Sequence, residues 1–353
     1  MSDKNWVKRF LMNSLCVLLA MGTLVYLWDP YTYYRIVDGR LKYVASAYID
    51  AGIIRNAEYD VAMIGSSVSQ NFDVQMFREQ VGGNLVKINT GGISLEQRDL
   101  FYEALELAGK TDTYYIEVAI SAFNNGDDLL EDTPTYLYDD NQWNDYRYLY
   151  GYETWLRGIP ISFAYSALAL VNIEIDTMHN LKNVDYVGDW YYRNAVGKEV
   201  FLNNYFSGSG RISKQKHEGM YERMIENVDK KLTTIIDESN NYIFYFPPYS
   251  AAFWSDAESA GYAEIWYEVK EYIIRKLLEY SNVEVYDFQY TDEISNLEHY
   301  RDVTHYGKEL NDWMIECFAS GENRVEAQSL KDNIKRLKDL VRVFRKENEE
   351  WIK

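Results

Sequence analysis

The chain has 353 residues and a formal charge of −19, which excludes the basic surplus a phosphate-binding face needs, so no nucleic-acid partner is expected. Its two cysteines, Cys16 and Cys317, exclude a small disulfide-stapled module. The 33 tyrosines would suit sugar rings and interfaces, and equally the half-buried positions of an ordinary core.

The first element is apolar. Phe10 to Trp28, "FLMNSLCVLLAMGTLVYLW", contains Asn13 as its only strongly polar residue and is long enough, at about 1.5 Å per residue, to cross a hydrocarbon core of about 30 Å. Bulky residues come next ("LVYLWDPYTYY") where a cleaved signal peptide would carry small ones, so an uncleaved anchor is expected. Lys4, Lys8 and Arg9 precede it and Asp29 lies just beyond it, which leaves the N-terminus in the cytoplasm and the rest outside. A cysteine-poor exported domain of this size suits a bacterial cell-membrane protein.

Past a juxtamembrane segment, 29–56, apolar runs alternate with helical patterns, the signature of a parallel sheet with crossover helices. Five strands are expected, at Tyr59–Gly65, Asn84–Thr90, Thr113–Ile120, Asn241–Pro247 and Asn282–Phe288. Between the second and third, Ser94 with Gln97 forms a capping box ahead of Leu95, Phe101, Ala104, Leu105 and Ala108 at helical spacing. Further helical patterns cover about 214–238, 257–280 and 307–318. An aromatic-rich interruption, 126–212, separates the third and fourth strands, holds a helical stretch near 163–180, and reads as a cap over the carboxyl edge of the sheet. The α/β domain thus occupies 57–320. Residues 321–353 form an amphipathic basic helix whose seam, Leu330, Ile334, Leu337, Val341 and Phe344, would pack on its own domain, on a partner or on an anionic membrane face.

Ligands of open parallel sheets sit at the carboxyl ends of the strands. The residues just beyond each expected strand are therefore informative: Gly65-Ser66-Ser67, then Gly91-Gly92, then Asn124 and Asn125, then "PPYS", and finally "YRDVTHYG" with Asp302 and His305. A serine pair is an ordinary loop edge unless a base, an orienting acid and oxyanion donors stand near it. Two D-x-x-H tetrads occur, Asp176/His179 and Asp302/His305. The first lies late in a helical run of the insertion, whereas the second lies in the loop after the last strand, where a base could meet Ser67.

The order of an early G-x-S, a glycine after the second strand, an asparagine after the third and a late D-x-x-H resembles the SGNH (GDSL-like) hydrolase superfamily, over roughly Ala57 to Phe318 less the insertion. With an anchor and an extracytoplasmic domain, it is most similar to the membrane-anchored members that serve teichoic acid D-alanyl transfer and exopolysaccharide O-acetylation. The resemblance implies a three-layer, flavodoxin-like fold with Ser67 as nucleophile, His305 as base and Asp302 as its orienter. It also implies an oxyanion hole from the N–H groups of Ser67 and Gly92 and the amide of Asn124 or Asn125, each donor worth about 3 to 4 kcal/mol. Ser66 stands where the family usually has aspartate, and the G-x-N-D after the third strand is replaced by "ISAFNN". No cofactor or metal is implied. The expected activity is acyl transfer or ester hydrolysis on a cell-surface polysaccharide or teichoic acid, beside a membrane-bound O-acyltransferase. The alternative is a catalytically silent member that binds the polymer or scaffolds that partner.

Overall fold

The structure is a computed structural model that describes residues 3–36, 47–124, 129, 133–170, 195–212 and 216–352. Its helices, in chain order, are α1 (Asp3–Trp28), α2 (Ala47–Asn56), α3 (Val74–Gln80), α4 (Leu95–Ala108), α5 (Tyr146–Tyr150), α6 (Ile159–Leu170), α7 (Lys198–Ser207), α8 (Met220–Asn227), α9 (Ala251–Ser259), α10 (Ala263–Leu277), α11 (Lys308–Ser320) and α12 (Leu330–Glu347). The strands are β1 (Val61–Gly65), β2 (Leu85–Asn89), β3 (Thr113–Glu117), β4 (Asn241–Phe246) and β5 (Val283–Asp287). The chain forms two compact units, Met1–Ala57 with Asp132–Thr177 and Glu58–Glu131 with Met178–Lys353.

In the second unit all five strands are parallel, in the order β2-β1-β3-β4-β5, and each lies inside one of the expected runs. The runs are apolar without strict alternation because helices cover both faces. On one face Tyr115 meets Phe77 of α3 and Phe318 of α11; on the other Tyr102 of α4 meets Tyr114 and Tyr242. Two crossover helices start at side-chain caps: Asp73 accepts from the N–H groups of Gln75 and Met76 ahead of α3, and Ser94 from that of Gln97 ahead of α4. Many of the tyrosines are core residues, with Tyr114, Tyr242, Tyr245, Tyr267 and Tyr300 fully buried.

One helix differs from the sequence pattern, and one open alternative is decided. The single helix expected over 257–280 is two, α9 and α10, because Gly261 takes a left-handed φ of 84° and the Tyr262 N–H turns back to the Ala257 carbonyl. The seam of α12 is buried against its own unit, where it meets α9 and α10, and Arg345 donates to the Ser255 carbonyl and hydroxyl.

In the first unit α1 is long and apolar enough to cross a membrane. It stops at Asp29-Pro30, where the Asp29 carboxylate collects the N–H groups of Tyr33, Tyr34 and Arg35 and the Tyr148 hydroxyl. Residues 133–170 of the expected insertion belong to this unit. Residues 195–212 belong to the other and pack on the loop that carries Asp302 and His305.

Candidate active site

β1 ends in glycine for a steric reason. A Cβ at Gly65 would stand 2.2 Å from Ser69 Oγ and 2.8 Å from Glu117 Oε2. The chain leaves the sheet through Ser66, in extended conformation, and closes one 3-10 turn, Ser67–Ser69, with the Ser69 N–H on the Ser66 carbonyl at 3.1 Å. Ser67 opens that turn, so its N–H has no partner within it. Its side chain is half-buried.

The long loop after β5 delivers the other two groups. Asp302 Oδ1 accepts from the N–H groups of Thr304 and His305 at 2.9 and 2.8 Å, a side-chain-to-backbone turn that fixes the tetrad. Gly307 N–H bonds the His299 carbonyl at 2.8 Å, and α11 begins one residue on. His305 Nδ1 then lies 2.9 Å from Asp302 Oδ2 and Nε2 lies 2.8 Å from Ser67 Oγ. Because a carboxylate only accepts, Nδ1 carries the proton toward Asp302, and Nε2 is left to accept from the serine hydroxyl. Burial alone would raise the Asp302 carboxyl. The hydrogen bond and charge of His305 and the backbone bonds from His305 and Thr304 outweigh it and hold the group below its ordinary value. The second half of the insertion braces this loop: Gly197 N–H bonds the Tyr300 carbonyl, Asn204 Nδ2 the Arg301 carbonyl, and Val303 N–H the Gly210 carbonyl.

Under the serine turn lies a residue that the sequence pattern does not single out. Glu117, the last residue of β3, is 4% exposed and shares a sheet face with Gly65. Its Oε2 accepts from the Ser66 N–H at 2.7 Å and Ser69 Oγ at 2.5 Å, and its Oε1 from Ser66 Oγ at 2.7 Å and the Tyr249 hydroxyl at 3.4 Å. Ser69 Oγ also meets the Tyr245 hydroxyl at 2.6 Å. Burial pushes the Glu117 carboxyl up, against the pull of these hydrogen bonds. Its signal in the sequence is a lone charge ending the apolar run "TYYIE" beside the G-x-S strand.

The other expected donors lie in the loops after β2 and β3. Gly92 lies in the loop after β2, where a Cβ at Gly91 or Gly92 would meet no atom within 4 Å, so the loop borders open space. Asn124 ends the 3-10 turn after β3, and its side-chain N–H donates to the Lys216 carbonyl at 3.3 Å. Its Oδ1 accepts from Arg223 Nη2 at 2.6 Å and Nε at 3.2 Å. Asn125, Asp176 and His179 lie outside the described residues. Among the described residues no group of three or more His, Cys, Asp or Glu is placed to hold a metal ion.

No family model, no curated protein and no solved structure matches this chain. A hydroxyl, an imidazole and a carboxylate in series, at a partly exposed carboxyl edge, have the arrangement that activating a serine as a nucleophile requires.

Proposed function

We propose that the protein is a membrane-anchored acyl-serine enzyme of the SGNH type, acting on ester groups of a cell-surface polysaccharide or teichoic acid from the extracytoplasmic side. The observation that carries the reading is the Ser67–His305–Asp302 relay, with its 2.8 and 2.9 Å links. The strand order 2-1-3-4-5 supports it, because that order belongs to flavodoxin-like doubly wound sheets, whose ligands sit at this edge.

In the reaction Ser67 Oγ attacks the acyl carbonyl while its proton passes to His305 Nε2. The tetrahedral intermediate collapses, the departing alcohol takes that proton, and the acyl group remains on Ser67 as an ester. An acceptor hydroxyl, or water, then gives its proton to His305 and attacks the acyl-serine, releasing the product and the free serine. Asp302 orients the ring and stabilises the imidazolium. The Ser67 N–H at the start of its turn is suited to bind the oxyanion, and the Gly92 N–H is the second candidate. Transfer is favoured over hydrolysis because a tether beside a membrane-bound O-acyltransferase raises the effective concentration of the acyl donor.

One observation favours the second reading, a silent member that binds the polymer or scaffolds its partner. The Asn124 amide is engaged by Arg223 and Lys216, so the oxyanion hole lacks that donor in this arrangement. A fluorophosphonate probe on the full chain in detergent separates the two. Labelling that disappears in Ser67→Ala and persists in Ser66→Ala, which keeps the backbone bond to Glu117, supports the enzyme. A folded wild type that takes no label supports the silent reading.

A further inference from the structure

The first unit presents a surface that water does not suit. Of its exposed large apolar side chains outside α1, six fall within 143–163: Trp143, Tyr146, Tyr150, Tyr152, Leu156 and Phe163. From Gly158 to Ile173 the sequence "GIPISFAYSALALVNI" contains no charged residue, and Phe163 in α6 is 61% exposed. Large apolar side chains exposed this densely along one segment point to a contact surface.

The contacts of α1 identify what covers it. The Tyr150 hydroxyl donates to the Leu18 carbonyl at 3.1 Å, and a Cβ on Gly22 would stand 2.5 Å from that hydroxyl, so the glycine permits the approach. Nearer the helix end, Trp28 Nε1 donates to Ser162 Oγ at 2.6 Å and the Trp28 and Phe163 rings lie 5.7 Å apart. Leu18 lies ten residues, about 15 Å, below Trp28 along α1. The apolar stretch Phe10–Trp28 is itself only about 28 Å long, against a hydrocarbon core of about 30 Å. If α1 spans, it has no length to spare: the Tyr150 side chain that reaches Leu18 stands at the depth of lipid, while Ser162 and Phe163 at Trp28, Tyr148 at Asp29 and Glu153 at Tyr31 set the rest of the segment at the membrane interface.

We infer that residues 146–170 are a membrane-interface element, seated at the carboxyl end of α1 with lipid as the occupant of the exposed apolar face. This rests on the membrane-anchor reading of α1. Most of the segment's backbone is helical, in α5, in the turn Thr154–Gly158 and in α6, which satisfies its N–H and C=O groups without water. Tyrosine and tryptophan are the residues of membrane interfaces, and the segment's charges suit that level: Arg157 pairs with Glu153 at 3.3 Å, Glu153 also accepts from the Tyr31 hydroxyl at 3.1 Å, and Arg147 lies over the Tyr136 ring.

The test uses the full chain in vesicles of phosphatidylcholine and phosphatidylglycerol, with Cys16→Ser and Cys317→Ala as background. Single cysteines at Phe163→Cys, Leu18→Cys and the exposed loop position Glu238→Cys carry an environment-sensitive fluorophore. The expected result is that both the Phe163→Cys and Leu18→Cys labels shift to the blue, the first losing emission to a nitroxide near the top of a lipid acyl chain and the second to one near its end. Only the Glu238→Cys label should lose emission to aqueous iodide. Lipid quenching at Leu18→Cys with iodide quenching at Phe163→Cys would overturn the inference alone and leave the face to a protein partner. Iodide quenching at Leu18→Cys would overturn the anchor reading and the inference with it.

Discussion

Glu117 gives the sharpest quantitative expectation, because the same carboxylate holds the serine turn and titrates abnormally. In Glu117→Ala the Ser66 N–H and Ser66 hydroxyl lose buried acceptors at 2.7 Å, while Ser69 keeps the Tyr245 hydroxyl and the 3.4 Å bond from Tyr249 contributes little. Two orphaned donors at about 1 to 3 kcal/mol each put the loss at about 2 to 6 kcal/mol, a large part of the 5 to 15 kcal/mol of an ordinary domain. Glu117→Gln behaves otherwise. Its oxygen can keep the Ser66 N–H, and its amide N–H groups face the hydroxyls of Ser66 and Tyr249, which can rotate to accept.

The sign of the pH dependence comes from burial. With the folded value above the ordinary 4.5, the native state holds the proton more tightly than the unfolded chain. Wild-type stability therefore falls as pH rises from about 4.5 to the folded value, by up to about 1.4 kcal/mol per unit, and is flat above it. Glu117→Gln lacks this loss, so the difference between it and wild type should move in favour of glutamine across that window. Urea unfolding of the full chain in detergent, followed by tryptophan fluorescence between pH 4 and 8, measures it. A difference independent of pH would refute the reasoning, since Glu117 would then titrate alike in both states. Probe labelling of Ser67 should survive in glutamine and fall in alanine.

His305→Ala should lower turnover of a model ester by several powers of ten, and Asp302→Asn by up to about four, with the fold checked by circular dichroism. Wild-type activity in a folded His305→Ala would remove the relay. On the other sheet face Lys270 is fully buried on Asp287 and Gln289, at 2.8 and 2.5 Å. Asp287→Ala should cost about 3 to 5 kcal/mol in urea unfolding, and Lys270→Met with Asp287→Leu should recover most of it.

The five strands are legible because strands buried on both faces write continuous apolar runs, and the carboxyl-edge rule selects Ser67, Asp302 and His305, which the structure brings within hydrogen-bond reach. Glu117 is not, because its role depends on the registers that set it beside Gly65 and under Ser69, a relation across 48 residues. Asn124 is legible as a residue type in the right loop. Its orientation is not, since Arg223 lies 99 residues away. The split of 126–212 between two units is hidden for a similar reason: the partners of residues 145–163 are residues 18–33, and no local periodicity announces them.

That split gives the returning half of the excursion a task at the site. After α7 the chain passes Gly210, whose carbonyl takes the Val303 N–H at 3.2 Å. A Cβ there would stand 2.9 Å from Asp302 Cβ and 2.9 Å from Asn204 Cβ, closer than such contacts occur, so Gly210→Ala must displace one of them. Asn204 lies between the buried Phe201 and Tyr205, whose hydroxyl is bonded to Asp256 at 2.7 Å. Asp302 lies in a loop and is expected to yield, which lengthens its bonds to His305. A shift of a few tenths of an ångström in the orienting carboxylate should lower kcat about tenfold, with KM and unfolding midpoint little changed. The decisive measurement is a cycle with Asp302→Ala: if Gly210 acts through Asp302, Gly210→Ala has no further effect in that background, and additive losses would refute the coupling.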